Sequence, residues 1–87
     1  MTQTIIVGGY GPGISSAVAA KFGGRGFSVA LVARNAQRLA AGVKELEARG
    51  VKAAAFPCDL ADPVATRALI GQVRSKLGSV TVLHWNA

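Results

Sequence analysis

The run Ile5–Ser15, IIVGGYGPGIS, passes from an apolar, β-branched stretch through a glycine cluster into helix-forming residues, and it limits the chain to few folds. Thr4–Val7 reads as a strand ended by Gly8-Gly9. Gly13–Phe22 reads as a helix with Ile14, Ala17, Val18 and Lys21–Phe22 in one stripe. A helix N-terminus offers unpaired backbone N–H groups and roughly half a positive charge, so an anion placed there is stabilised if the backbone can approach it. Gly9, Gly11 and Gly13 carry no Cβ to block that approach and tolerate positive φ. Pro12 has no N–H to donate, but it stiffens the turn and presets the direction of the helix. The turn therefore suits a phosphate group, although glycines also make ordinary strand-to-helix turns and the cluster alone leaves both readings open. A P-loop is excluded: Gly8 and Gly13 have its GxxxxG spacing, but Ile14 stands where its lysine must be.

The rest of the chain repeats the alternation. Gly23, Gly24 and Gly26 end the first helix, and Phe27–Ala33 forms a second strand. Asn35 caps a second helix, Ala36–Arg49, whose apolar face carries Leu39, Val43 and Leu46. Gly50 ends it as a left-handed cap. Lys52–Phe56 is a third strand stopped by Pro57. Asp62 and Pro63 open a third helix that runs to about Lys76, with Val64, Ala68, Leu69 and Val73 as its apolar side, and Gly78 closes it. Val80–Trp85 is the fourth strand. The pattern β-α-β-α-β-α-β, with near-continuous apolar strands, predicts an α/β fold: a parallel sheet with helices on both faces. Right-handed crossovers favour the strand order 3-2-1-4, the first half of a doubly wound Rossmann-type dinucleotide fold.

Composition narrows the function classes. The 87 residues make one small domain at most. With 51% hydrophobic and 16% charged residues, the chain has the material for a core. No apolar run approaches the ~20 residues of a membrane span, and no secretory signal is visible, which favours the cytoplasm. Cys58 is the single cysteine, so no intrachain disulfide forms; it reads as a small buried hydrophobe. There is no zinc-ligand spacing, and no metal site is expected. The net charge of +6 raises a nucleic-acid partner as an alternative, but the ten Lys and Arg are scattered, without runs or interleaved aromatics.

Arg34 follows the second strand, about twenty residues beyond the glycine turn. In a dinucleotide fold an acid there accepts from the ribose 2′-hydroxyl of NAD, whereas an arginine pairs with the 2′-phosphate of NADP. A plain surface arginine is the competing reading. Asn35 is a helix cap that also lies near such a phosphate, and Arg38 is a second, weaker candidate.

With these residues in view, the chain resembles the N-terminal part of the short-chain dehydrogenases/reductases along essentially all of its length. Their glycine motif is TGxxxGxG. Here Gly8 replaces the threonine, Gly9 and Gly13 match, and Ser15 replaces the last glycine. VARNAQRL at 32–39 is similar to the NADP-preferring version of the second strand and helix. Cys58-Asp59-Leu60 resembles the segment whose aspartate contacts the adenine ring. LHWNA at 83–87 resembles the LxNNAG motif, with Trp85 in place of the first asparagine. The resemblance implies NADP contacts from Gly9, Gly11, Pro12, Gly13 and Ile14 in the turn, Arg34 and Asn35 after the second strand, Asp59 and Leu60 after the third, and Asn86 and Ala87, beside the ribose, after the fourth. For Asp59 a helix-leading cap or a solvated acid competes, and for Asn86 a strand-end hydrogen bond. His84 is read as a core residue and Trp85 as packing.

The family's catalytic serine and YxxxK pair have no counterpart here: Tyr10 is the one tyrosine, and Ile14 stands four residues later. The chain is thus expected to be the N-terminal portion, residues 1–87, of one dinucleotide-binding domain, without catalytic residues and with strand four left as an exposed edge. What the resemblance implies for the whole protein is hydride transfer between NADP and a small carbonyl or alcohol substrate, in a protein that forms homo-oligomers and binds neither nucleic acid nor membrane. A non-catalytic NADP-binding sensor is the alternative.

Overall fold

The computed structural model describes residues 3–9 and 14–85, the side chains of Ile14 and Ser15 excepted. It contains β1 (Gln3–Gly8), α1 (Ile14–Gly23), β2 (Ser28–Ala33), α2 (Ala36–Ala48), β3 (Ala53–Pro57), α3 (Pro63–Leu77) and β4 (Ser79–Trp85). All pairings are parallel and the strand order is β3-β2-β1-β4, as the alternating pattern predicts. The chain therefore steps outward from β1 to β3 and then jumps back across β1 to place β4 on its other side. That reversal beside β1 is the topological switch point, at which open α/β sheets present a crevice beyond the strand C-termini.

Alternation along the strands divides the interior into two layers. Ile5, Val7, Val29 and Leu31 point to one face, where Ala19 of α1 and Leu39 and Leu46 of α2 cover them. Ile6, Ala30, Val32, Ala54 and Phe56 point to the other and meet Leu69, Val73 and Leu77 of α3. Each of these larger side chains contributes about 1.5–3 kcal/mol by leaving water. Thr4, fully buried, donates from Oγ1 to the carbonyl of Leu77 at 3.3 Å and so ties the start of β1 to the end of α3.

Helix ends follow the local chemistry. Asn35 accepts from the N–H of Arg38 at 3.1 Å, and Asp62 accepts from Val64 at 3.0 Å and Ala65 at 3.3 Å, each capping its helix. Gly50 has φ 78°, the left-handed geometry expected after α2.

Several expectations are corrected. In α1, Ala17 is exposed, and the buried positions among the described side chains are Ala19 and Gly23. Gly23 approaches Val51 so closely that a Cβ there would lie 2.7 Å from its side chain. In α3, Val64 is 77% exposed and Ala68 is exposed; the core stripe is Leu69, Val73 and Leu77. Gly8 does not end β1 from outside but is its last residue, paired with Val32 and Trp85. Pro57 likewise is the last residue of β3, opposite Ala33. The β1–β4 register also slips between Thr4 and Ile5: Thr4 faces Val80 but Ile5 faces Val82, leaving Thr81 as an extra residue.

All ten Lys and Arg side chains are exposed. Six occur on helices, Lys21 on α1 and Arg38 and Lys44 on α2 on one side of the sheet, and Arg67, Arg74 and Lys76 on α3 on the other, while Arg25, Arg34, Arg49 and Lys52 lie in the connections, so they form no single basic face.

Candidate functional site

Parallel strands place their C-terminal ends side by side, and the residues just beyond them meet there. Gly9 leaves β1 with φ 74°, a left-handed conformation that strongly favours glycine. Arg34 leaves β2. Beyond β3, the N–H of Cys58 donates to the carbonyl of Ala33 at 3.0 Å, which draws the segment after β3 against the end of β2. Asp59 then turns the chain, its Oδ1 accepting from the N–H of Ala61 at 3.0 Å.

These segments enclose a cleft of about 350 Å³ lined by Gly9, Ala33, Arg34 and the run Cys58–Ala61. It lies within the size range of small-molecule sites, ~300–1,000 Å³. Four residues anticipated as cofactor contacts therefore share one cavity: Gly9, Arg34, Asp59 and Leu60. Asn35 does not line it and instead caps α2. Arg38 is exposed on the first turn of α2 and is likewise absent from the lining. Ile14 opens α1. Gly11, Pro12, Gly13, Asn86 and Ala87 lie outside the described residues.

The side chain of Arg34 is exposed. The ion pair found among the described residues is elsewhere, between Arg49 and Glu45 on α2 at 3.3 Å. Arg34 thus brings a cation with no ion pair among the described residues to a cleft that also holds the exposed carboxylate of Asp59. One wall offers positive charge, another a hydrogen-bond acceptor, and between them lie small and apolar groups. That combination suits a flat, polar-edged group carrying an anionic substituent. Among the described residues no group of three metal-ligating side chains occurs, and no helix is long and apolar enough to cross a membrane.

Sequence reasoning passed over Ala33, Cys58 and Ala61, which line the cleft; Cys58 is half-buried there rather than sealed in the core. The signal available was their position at the ends of β2 and β3. His84, read as a core residue, is half-buried on β4, and its Nε2 has no hydrogen-bond partner among the described residues. Leu60 and Ala61 also border a second, apolar groove of about 650 Å³ between α3 and β4, which Pro63, Ile70, Leu83 and Trp85 line as well.

Comparison with known proteins agrees with this architecture. The sequence profile of the short chain dehydrogenases matches residues 3–87. A short chain dehydrogenase of Pseudocercospora fijiensis is 38% identical over 81 residues, covering 93% of this chain and 26% of its own. The crystal structure of a metagenomic short-chain oxidoreductase in complex with NADP superposes with a TM-score of 0.86 at 36% identity, over 93% of this chain and 37% of that one. That of an actinorhodin polyketide ketoreductase variant with NADPH gives a TM-score of 0.92 at 32% identity, over 99% and 33%. This chain thus spans between a quarter and two-fifths of the length of these relatives. A profile match along nearly every residue, joined to the 3-2-1-4 sheet and its crevice, places the chain in the short chain dehydrogenase family.

Proposed function

We propose that this chain is the NADP-binding N-terminal portion of a short-chain dehydrogenase/reductase domain. The whole protein transfers hydride between NADP and a small carbonyl or alcohol substrate. The observation that carries the reading is the convergence of Gly9, Arg34 and Asp59 on one cleft at the C-terminal edge of a 3-2-1-4 sheet. The residues fit the cofactor: a left-handed glycine where a diphosphate needs close backbone approach, an exposed guanidinium for a 2′-phosphate, and an acceptor for an adenine edge. The two solved relatives described above were crystallised with NADP and NADPH, which supports the same assignment.

In this reading Gly9, Gly11, Pro12, Gly13 and Ile14 surround the diphosphate. Arg34 holds the 2′-phosphate, with Asn35 beside it, and Asp59 and Leu60 border the adenine. Asn86 and Ala87 are assigned to the ribose. Bound NADP supplies the hydride acceptor or donor. The residues present here bind and orient it, and the proton-transferring residues belong to polypeptide outside this chain.

Calorimetric titration with NADP and NAD tests the assignment. NADP is expected to bind the tighter of the two. Arg34→Asp should weaken NADP by about ten- to a hundredfold, the loss of one charge-assisted interaction of about 1.5–3 kcal/mol, and shift preference towards NAD. Unchanged NADP affinity in the variant would refute the role of Arg34.

A further inference from the structure

We infer that Trp85 is a positioning residue for Gly9, acting through Gly8, so that Gly8 and Trp85 form a size-matched pair. The inference rests on the reading of the glycine turn as the cofactor site. Gly8 is the last residue of the central strand β1 and pairs with Trp85 of β4. A Cβ built on Gly8 would lie 2.6 Å from Cε3, 2.8 Å from Cζ3 and 3.0 Å from Cδ2 of the indole. Carbon atoms in contact prefer about 3.5–4.0 Å, so the six-membered half of the ring occupies the space of any side chain at Gly8. The backbone does not impose this. Gly8 is not among the glycines with positive φ, and an L-residue would meet no strain there. Space alone demands glycine.

A glycine inside a strand weakens it, because it has backbone freedom to lose and nothing to pack. An aromatic ring across the ladder offsets that by covering the bare backbone. Here the ring covers the residue directly before Gly9, where the chain leaves the sheet at φ 74°. The backbone at Gly8, from which Gly9 leaves the sheet, is thereby held from β4. Gly8 and Trp85 are also two of the positions at which the chain departs from its family's motifs. The contact makes them one departure: the smallest residue on β1 admits the largest on β4.

The test is a double-mutant cycle of Gly8→Ala, Trp85→Asn and the combined variant in the 87-residue chain, read by NADP calorimetry and by urea unfolding. Trp85 is the single tryptophan, so its emission reports the contact directly. Gly8→Ala should move that emission to longer wavelength and weaken NADP about tenfold, whereas the same change made in Trp85→Asn should alter affinity less than twofold. Trp85→Phe should keep most of the affinity that Trp85→Asn loses. Equal losses from Gly8→Ala in both backgrounds would overturn the pairing. Coupling in unfolding with additive NADP affinities would overturn the positioning role and leave a structural contact. If Gly8→Ala does not fold, recovery in the double variant supports the pair and failure to recover overturns it. Native chain that binds neither NADP nor NAD overturns the cofactor reading, and the positioning role with it; normal binding with an uncoupled cycle defeats the inference alone.

Discussion

At the scale of single residues, the candidate site rests on backbone geometry at one position and on charge at another. Gly9 adopts φ 74°, where a Cβ costs about 1–2 kcal/mol. Gly9→Ala is therefore expected to lower the unfolding free energy by about that amount, and to weaken NADP further by narrowing the approach to the diphosphate. Urea unfolding and calorimetry on one preparation separate the two effects. Gly9 and Arg34 were legible in the sequence because each follows a strand end, and strand ends are readable from apolar runs that break at glycine or arginine; Asp59 and Leu60 were legible only through the resemblance of Cys58-Asp59-Leu60 to the family's segment. Ala33, Cys58 and Ala61 carried no signal beyond their position at strand ends. A cleft wall of small side chains has no chemical signature, and its role exists only once the ends of β2 and β3 are side by side. The contact of Trp85 with Gly8 was hidden for a related reason: the two lie far apart in sequence, and only register brings them together.

At the scale of elements, caps were readable and helix rotation was not. Asn35, Asp62, Pro63 and Gly50 act through neighbours within a few residues, so their roles follow from local sequence. Asn35→Ala should cost about 1 kcal/mol of stability through the lost bond to the N–H of Arg38, measurable by urea unfolding. If NADP affinity stays unchanged in that variant, Asn35 serves the helix alone. The face of α3 was harder to choose because its apolar residues occupy more than one stripe. At 100° per residue Val64 sits about 140° around the helix from Leu69, and the sheet takes Leu69 with Val73 and Leu77. Leu69→Ala is expected to destabilise by about 2–5 kcal/mol, whereas Val64→Ala, truncating a side chain that is 77% exposed, should change stability by less than about 0.5 kcal/mol. Comparable losses from both changes would show that the helix is rotated from the orientation described.

At the scale of the whole molecule, the two faces of the sheet are unequally covered. Two helices lie over one face and a single helix over the other. Ile70, Leu83 and Trp85 are left exposed around the apolar groove, and β4 has β1 as its one ladder partner among the described residues. An open parallel edge beside apolar surface favours association between chains. The 87-residue chain should therefore self-associate as its concentration rises, and Leu83→Lys should suppress this, as sedimentation velocity can show. A sedimentation coefficient independent of concentration in the native chain would contradict the expectation. The overall order of strands was legible because alternation and crossover handedness leave few arrangements; the slip in β4 was not, since a spare residue in a strand leaves no mark in composition. That slip has a counting consequence. Val80 and Leu83 are three residues apart, yet both face α3, because Thr81 stands outside the ladder, its hydroxyl donating to the Thr4 carbonyl at 3.5 Å. In an uninterrupted strand the odd and even positions beyond Val80 would exchange sides, sending Trp85 to the α1 layer and His84 to the α3 layer. One uncounted threonine thus sets the parity of the whole strand end, and with it which aromatic ring lies over Gly8.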